Sequence, residues 1–225
     1  RAGDVLRNIG QPAVDTLTQA MGDANANWPY IAAAALAQIE PKASAAVDTL
    51  IVTLKKGDAE ARALAADTLG RLQIDPKTII NALLKTLRDD DENVCKNAAQ
   101  SLVAIGKPAL DSLISAMSDS QIKHKHHVAL AIARFGADAS KAGEAILTML
   151  NPDDAESRAL VVFTLGKIRA KSDQVISALI KMFDDAENRV ADTAAQNVGR
   201  MGAVAIDPLL KVFENKETAK YRRAA

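Results

Sequence analysis

A pattern that returns about every thirty residues constrains the fold of this chain more than any other feature of its sequence. A pair of small residues, a large apolar residue and a second apolar residue recur together from one end to the other. We define the second apolar residue as the anchor of its repeat. Successive anchors are 30, 33, 33, 30, 33 and 33 residues apart, which predicts a stacked array of similar units. The anchors are Ile9, Ile39, Leu72, Ile105, Phe135, Ile168 and Met201.

Each period contains two helical patterns joined by a short acidic loop. In the first helix apolar residues share one face, as Val47, Leu50 and Leu54 do. Aspartates in the loop are typical N-caps of the second helix. A glycine follows the anchor in four repeats, where a left-handed turn ends a helix: Gly10, Gly106, Gly136 and Gly202. Alternating β-branched residues between hairpin turns are absent from the sequence.

These patterns predict an all-α fold, a right-handed α-solenoid of stacked antiparallel helix pairs. The small pairs would let neighbouring helices approach closely, and each pair would depend on its neighbours for stability. We expect one array over residues 1–225, with about six full repeats and a partial repeat at each end. The chain begins within a second-helix pattern and lacks an initiator Met, so we expect it to be an excerpt of a longer chain.

The repeats also resemble a known family. An aspartate and, four residues later, an arginine precede the small pair and "LG" at residues 58–62 and 154–158. This arrangement is similar to HEAT repeats, most closely the short bacterial type of phycobilin lyase subunits. The resemblance implies a protein-binding scaffold whose second helices line the concave surface. In two repeats Cys95 and Lys125 replace the arginine. In the last full repeat the pair lies two residues early, so a ladder of Asp–Arg contacts should break there.

Two apolar residues interrupt a row of positions expected to face water, five residues before each anchor. Leu130 and Phe163 occupy this row in successive repeats. Adjacent exposed apolar residues suggest an anchor point for a binding partner. The alternative is that Phe163 packs sideways between helices. Elsewhere the row contains Ala34, Asp67, Gln100 and Gln196.

The position just before the anchor is basic in four repeats, at Arg71, Arg134, Lys167 and Arg200. Such a row would suit an acidic partner, although the helix dipole alone also favours cations at a helix C-terminus. The predicted partner is a protein or an acidic amphipathic peptide. The predicted binding residues are His126, Leu130, Arg134, Phe163, Lys167 and Arg200.

Residues 123–127 contain all three histidines of the chain. His124 and His127 are three residues apart and could share a metal ion on one helix face. The repeat alignment places His124 on the buried stripe, no carboxylate or cysteine is obviously positioned to complete the ligand set, and the two lysines disfavour a cation. The sequence therefore predicts no metal site and no cofactor. Cys95 is predicted to be a half-buried structural thiol.

The remaining features restrict the class of function. No acid and base occur at a catalytic spacing, so we predict no enzymatic activity; the alternative is an accessory subunit of a bilin lyase-type enzyme that holds a prosthetic group or its acceptor protein. With 28 basic and 28 acidic side chains, the balance argues against a nucleic-acid or membrane-surface binder. No apolar run could span a bilayer. A single cysteine fits a reducing compartment such as the cytoplasm. The oligomeric state is not indicated.

Overall fold

The computed structural model describes residues 11–20, 28–39, 45–72 and 74–214, and all regular structure in these ranges is helical. The all-α prediction is therefore confirmed there. None of the helices in these ranges is long and apolar enough to cross a bilayer. Short 3-10 segments occur at Gly136–Ala142, Met182–Asp184 and Gly202–Ala205. The α-helices are α1 (Gln11–Ala20), α2 (Trp28–Ile39), α3 (Ala45–Lys56), α4 (Ala59–Arg71), α5 (Pro76–Thr86), α6 (Glu92–Ile105), α7 (Lys107–Ala116), α8 (Lys125–Ala133), α9 (Gly143–Leu147), α10 (Ala155–Ile168), α11 (Asp173–Lys181), α12 (Asn188–Met201) and α13 (Ile206–Glu214).

The chain divides into two compact units, Arg1–Ala131 and Ile132–Ala225, with the boundary inside α8. In each unit the helices form two layers. In the first unit the first helices α3, α5 and α7 pack in sequence, and so do the second helices α2, α4 and α6. In the second unit α9, α11 and α13 form one layer, and α10 packs on α12 in the other. Each unit is thus a stack of helix pairs, while the single array over residues 1–225 stays a prediction.

The closest approach between second helices depends on glycines as well as on the alanine pairs. Ala65, Ala66, Ala98 and Ala99 are almost fully buried, as predicted. A Cβ on Gly70 of α4, however, would lie 2.4 Å from the Cβ of Ser101 on α6. The Ser101 hydroxyl donates a 2.8 Å hydrogen bond to the carbonyl of Ala66. The two helices are therefore held together by a polar contact that needs a residue without a side chain.

The second unit repeats this arrangement with different residues. A Cβ on Gly166 of α10 would lie 2.3 Å from the Oδ1 of Asn197 on α12. The buried Asn197 amide donates a 2.8 Å hydrogen bond to the carbonyl of Val162. Gly166 and Gly70 both lie two residues before the anchor, and Asn197 and Ser101 both lie four before the next anchor. The repeat alignment thus describes equivalent contacts in both units.

The helix ends follow the predicted chemistry. Asp58, Asp91 and Asp154 cap α4, α6 and α10 by accepting hydrogen bonds from backbone N–H groups of the first turn. Gly106 and Gly202 follow their anchors with positive φ of 87° and 71°, a region that favours glycine, but with ψ of −149° and −143° instead of the left-handed helical values predicted. Gly136 also has positive φ, whereas Ile9 and Gly10 lie outside the described residues.

Aspartate–arginine pairs connect successive repeats in both units. Arg62 contacts Asp89 of the next repeat through two hydrogen bonds of 2.7 and 2.8 Å. Arg158 contacts Asp185 in the same way, at 2.6 and 3.0 Å. In the last full repeat Arg189 lies 3.9 Å from Glu156 instead, and both side chains are largely exposed. Arg189 thus contacts a glutamate of the preceding repeat, and the residues that would follow it in the ladder lie outside the described part of the chain, so the break stays a prediction.

Cys95 is more buried than the half-buried thiol that the sequence predicted, with an exposed fraction of 1%. Its Sγ lies 3.3 Å from the carbonyl oxygen of Leu87 and 3.1 Å from that of Asp89. Burial, and then the negative charge of Asp89, raise the pKa of the thiol to about 11. The thiol is therefore protonated at neutral pH, which supports a structural role and not a reactive one.

Candidate functional site

The six predicted binding residues are divided between the two units. His126 and Leu130 lie on α8 in the first unit, and Arg134 directly follows α8 in the second. Phe163 and Lys167 lie on α10, and Arg200 lies on the neighbouring helix α12. The structure therefore brings together two groups, one of two residues in the first unit and one of three residues in the second.

Phe163 is exposed at the surface of the second unit and is not sealed between helices. Its exposed fraction is 44%. The ammonium of Lys167 lies 5.4 Å from the centre of the Phe163 ring, within the range of a cation–π contact. The ring forms one wall of a cavity of about 280 Å³ between α10 and α12. The lining residues are Glu156, Ala159, Leu160, Val162, Phe163, Arg189, Val190 and Thr193.

A second cavity, of about 500 Å³, lies toward the C-terminal ends of the same two helices. Its described lining contains four cationic side chains and no carboxylate. Arg169 and Lys171 were not anticipated because they follow the anchor and lie outside the helical row. Arg169 has a φ of 54° and takes the place of the glycine that follows other anchors. The lining residues are Leu165, Gly166, Lys167, Arg169, Lys171, Asn197, Arg200 and Met201.

In the first unit Leu130 is also exposed, at 40% of its surface. The row five residues before each anchor lies at or near the surface in most repeats, as the alignment predicted. Asp67 is half-buried, and Gln100 and Gln196 are exposed. Ala34 is the exception, because it is buried on α2.

The histidines of α8 contact a carboxylate that the sequence did not indicate. The Nε2 atoms of His126 and His127 each lie 3.1 Å from Oε1 of Glu92, the first residue of α6. The expectation that no carboxylate is positioned beside the histidines is therefore wrong. Glu92 lies 34 residues before His126, about one repeat period away, and this spacing is the only signal that could have found it.

His124 does not follow its predicted place on the buried stripe. It is half-buried and precedes the first residue of α8. Its Nε2 lies 3.2 Å from the backbone oxygen of Asp90. The physical reason is that α8 begins later than α4 and α6 do, in a repeat that is three residues shorter.

Hydrogen bonds and burial set the charges in this cluster. The contacts with His126 and His127 lower the pKa of Glu92, so its carboxylate is ionised at neutral pH. Burial, followed by the positive charge of His126, lowers the pKa of His127, and this outweighs the opposing effect of Glu92. His127 is therefore largely neutral at pH 7.

Comparison with known proteins assigns the repeats. A sequence model of HEAT repeats matches residues 47–133 and 143–225. The chain belongs to the HEAT-repeat family. A search of curated proteins finds no match. HEAT-type solenoids typically act as protein-binding scaffolds through the surfaces that their stacked helices create.

Solved structures similar to this HEAT-repeat chain share its fold. A designed armadillo repeat protein in complex with the peptide (KR)4 is 17% identical, with a TM-score of 0.54 and coverage of 84% of this chain and 99% of that one. The crystal structure of an engineered protein is 19% identical, with a TM-score of 0.50 and coverage of 96% and 67%. At these identities the likeness concerns the fold alone.

Proposed function

We propose that this HEAT-repeat chain is a protein-binding scaffold whose second unit holds an acidic amphipathic segment of a partner protein against α10 and α12. The observation that carries the proposal is the position of Phe163. This exposed aromatic ring lines a cavity with mostly apolar walls, and Lys167, one helical turn later, lines the cationic cavity beside it. An apolar side chain of the partner would enter the first cavity, and its carboxylates would face the second.

The apolar contact with Phe163 and the ionic contacts with the cations would contribute to binding in different ways. Burial of one large apolar side chain beside Phe163 contributes on the order of 2 kcal/mol. The cations would add less affinity but would orient the segment and speed its association. Because the whole chain has equal numbers of acidic and basic side chains, four cations around one cavity are a local excess. The local excess supports a partner of negative charge.

The positive charge of the surface on α10 and α12 distinguishes it from the peptide-binding protein among the similar solved structures. The designed armadillo repeat protein is complexed with a basic peptide. Arg200, Lys167 and the two cations that follow the anchor Ile168 would repel such a peptide. We therefore propose the opposite charge preference for this chain.

His126, Leu130 and Arg134 are proposed as further contact residues on or next to α8. Leu130 and Arg134 are exposed, and His126 is half-buried. Leu130→Asp tests their contribution separately from that of the surface on α10 and α12. If this substitution leaves peptide affinity unchanged while Phe163→Asp abolishes binding, the site is confined to the second unit.

The decisive experiment uses two fluorescent amphipathic helical peptides that differ only in charge. Both have Leu at helical spacing; one has Glu at its polar positions and the other Lys. Fluorescence polarisation should show binding of the Glu peptide alone. Phe163→Asp and Lys167→Glu should each weaken it at least about ten-fold, a loss of roughly 1.4 kcal/mol.

The matched control is Val52→Asp, which changes an exposed apolar residue on a first helix, α3. It should leave the affinity unchanged. Equal binding of the two peptides would contradict the charge preference, and normal binding by Phe163→Asp would remove the proposed anchor. The accessory role in a bilin lyase-type enzyme stays the alternative prediction, and it requires that the chain change the absorbance of a bilin on mixing.

A further inference from the structure

The structure points to a metal site in the first unit: we propose that Glu92, His126 and His127 bind one divalent transition-metal ion of the Zn²⁺ type. Among the residues that the structure describes, these three form a group whose possible ligand atoms all lie within 4.8 Å of one another. Two imidazole nitrogens and one carboxylate oxygen are ligands that Zn²⁺ prefers. The proposal does not rest on the proposed function, because it concerns an ion and the first unit alone.

The two distances between the histidine nitrogens and the Glu92 oxygen fit a tetrahedral ion, and all three ligand atoms lie within 4.8 Å of one another. Zn–N and Zn–O bonds are roughly 2.0–2.2 Å long, and the tetrahedral angle then separates two ligand atoms by about 3.3 Å. The Nε2 atoms of His126 and His127 each lie 3.1 Å from the same oxygen of Glu92. An ion can therefore replace these hydrogen bonds after small rotations of the side chains. Exposure of the Glu92 side chain leaves room for a water molecule as the fourth ligand.

The two helices supply rigid positions for the ligands. Glu92 is the first residue of α6, directly after the capping aspartate Asp91. His126 and His127 lie in the first turn of α8. The ligands thus come from backbones already fixed by helix formation, and only side-chain rotations are lost on binding.

The lysines that flank the histidines do not oppose the ion as the sequence suggested. The ammonium group of Lys123 forms a salt bridge with Asp90. That of Lys125 donates a 2.8 Å hydrogen bond to the carbonyl of Met117 at the end of α7. Both positive charges therefore have partners outside the cluster.

His124 is a matched control because it belongs to the same segment but not to the ligand set. Its Nε2 contacts the backbone oxygen of Asp90, and its ring centre lies 6.0 Å from that of His126. Replacement of His124 removes one of three neighbouring histidines without removing a proposed ligand. It therefore separates a defined site from general metal affinity of a histidine-rich segment.

The test is isothermal titration of the untagged chain with ZnCl₂ and, separately, with MgCl₂. We expect one Zn²⁺ per chain, no heat from Mg²⁺, and reversal by EDTA. His127→Ala and Glu92→Gln should each weaken Zn²⁺ binding at least about ten-fold, and His124→Ala should weaken it less than about two-fold. Circular dichroism of each variant should show unchanged helix content, and Zn²⁺ should raise the melting temperature of the unmodified chain but not of Glu92→Gln.

Three results would overturn the metal site. The first is absence of Zn²⁺ binding at millimolar concentration. The second is Zn²⁺ binding that Glu92→Gln, a change of one atom, does not weaken. The third is an equal loss in His124→Ala, since it would mean that the histidines bind metal without a fixed geometry. Failure of the peptide experiment in the second unit would leave all three outcomes unaffected.

Discussion

The residue ten positions before the anchor performs one task with different chemistry in three successive repeats, at Arg62, Cys95 and Lys125. Arg62 donates to the carbonyl of Gly57, and Lys125 to that of Met117, each at 2.8 Å. The thiol of Cys95 contacts the equivalent carbonyls at the end of α5. Each side chain satisfies backbone oxygens that a helix leaves free at its C-terminus. Arg62 also contacts Asp89 of the next repeat, and Arg158 contacts Asp185 in the same way, so both of these contacts of the ladder use arginine.

Replacement of Arg62 by Met tests the combined value of its contacts with the Gly57 carbonyl and with Asp89. Asp89 would remain half-buried without its partner, so the free energy of unfolding should fall by about 2 kcal/mol. Arg71→Met is the matched control on the same helix, because Arg71 pairs with Asp67 at the surface, and it should cost no more than about 0.5 kcal/mol. Urea unfolding followed by circular dichroism measures both. Equal losses would mean that the contact between repeats adds no stability of its own.

The reactivity of Cys95 is a second test at this scale. With the pKa raised from 9.0 to about 11, the thiolate fraction at pH 7.5 is about 100-fold lower than that of a free thiol, and burial blocks access as well. Iodoacetamide should therefore label the folded chain at least about 100-fold more slowly than the chain in guanidinium. Mass spectrometry of timed samples gives both rates. Rapid labelling without denaturant would contradict the buried position of Cys95.

At the scale of the helices, the approach of successive second helices depends on the residue two positions before the anchor. Gly70 and Gly166 face polar side chains on the next second helix at a distance that excludes a Cβ. Gly199 occupies the same position on α12, yet a Cβ there would meet nothing within 4 Å in the described part of the chain. The same residue type therefore serves packing in two repeats, whereas in a third it meets no packing partner among the described residues.

This difference predicts opposite effects of one substitution. Gly70→Ala would push its Cβ into the Ser101 side chain and lie 2.7 Å from the Ser101 Cα, so it should destabilise the fold by about 1–3 kcal/mol. Gly199→Ala should stabilise it by about 0.5–1 kcal/mol, because alanine is the better helix former. Thermal and urea unfolding of the two variants decide the question. A gain of stability in Gly70→Ala would show that α4 and α6 can separate at no cost.

The helix pairs themselves were predictable because the apolar period repeats, but the first helix after Phe135 was not. Its sequence pattern predicts an ordinary helix, yet the chain forms a 3-10 segment and then the short α9. Gly136 begins this segment with positive φ, and Gly143 is buried where a Cβ would lie 2.7 Å from the Cβ of Ala170. Local propensity cannot reveal such a contact, since it is set by packing against a later part of the chain.

At the scale of the whole molecule, the repeat alignment identified surface rows but not the contacts that cross from one repeat to the next. Exposure of Leu130 and Phe163 followed from their helical phase alone. Glu92, Arg169 and Lys171 did not, because their roles depend on which turns lie beside each other after stacking. The repeat period shows which residues occupy equivalent positions in successive repeats. A binding site also depends on the distances between residues at different positions of the repeat, and the period does not give these distances.

The carboxylates of the ladder connect stability to pH in both units. Hydrogen bonds from Arg158 lower the pKa of Asp185; at Asp89 burial acts to raise the pKa, but the hydrogen bonds from Arg62 and the Asp91 backbone outweigh it. Since the folded pKa lies below the unfolded value of about 3.9, this stabilisation is complete above that value and is lost as the pH falls through the folded pKa.

Acid should therefore weaken the fold through these two carboxylates, and the loss should be smaller once one of them no longer titrates. Asp185→Asn should be less stable than the unmodified chain at pH 7 but should lose less further stability between pH 5 and pH 3, because its amide takes up no proton. Urea titrations at pH 7, 5, 4 and 3 give the comparison, with Arg71→Met as the control that retains both carboxylates of the ladder. If Asp185→Asn loses stability as steeply as the control, other carboxylates govern acid unfolding and the ladder is not the acid-sensitive part of the molecule.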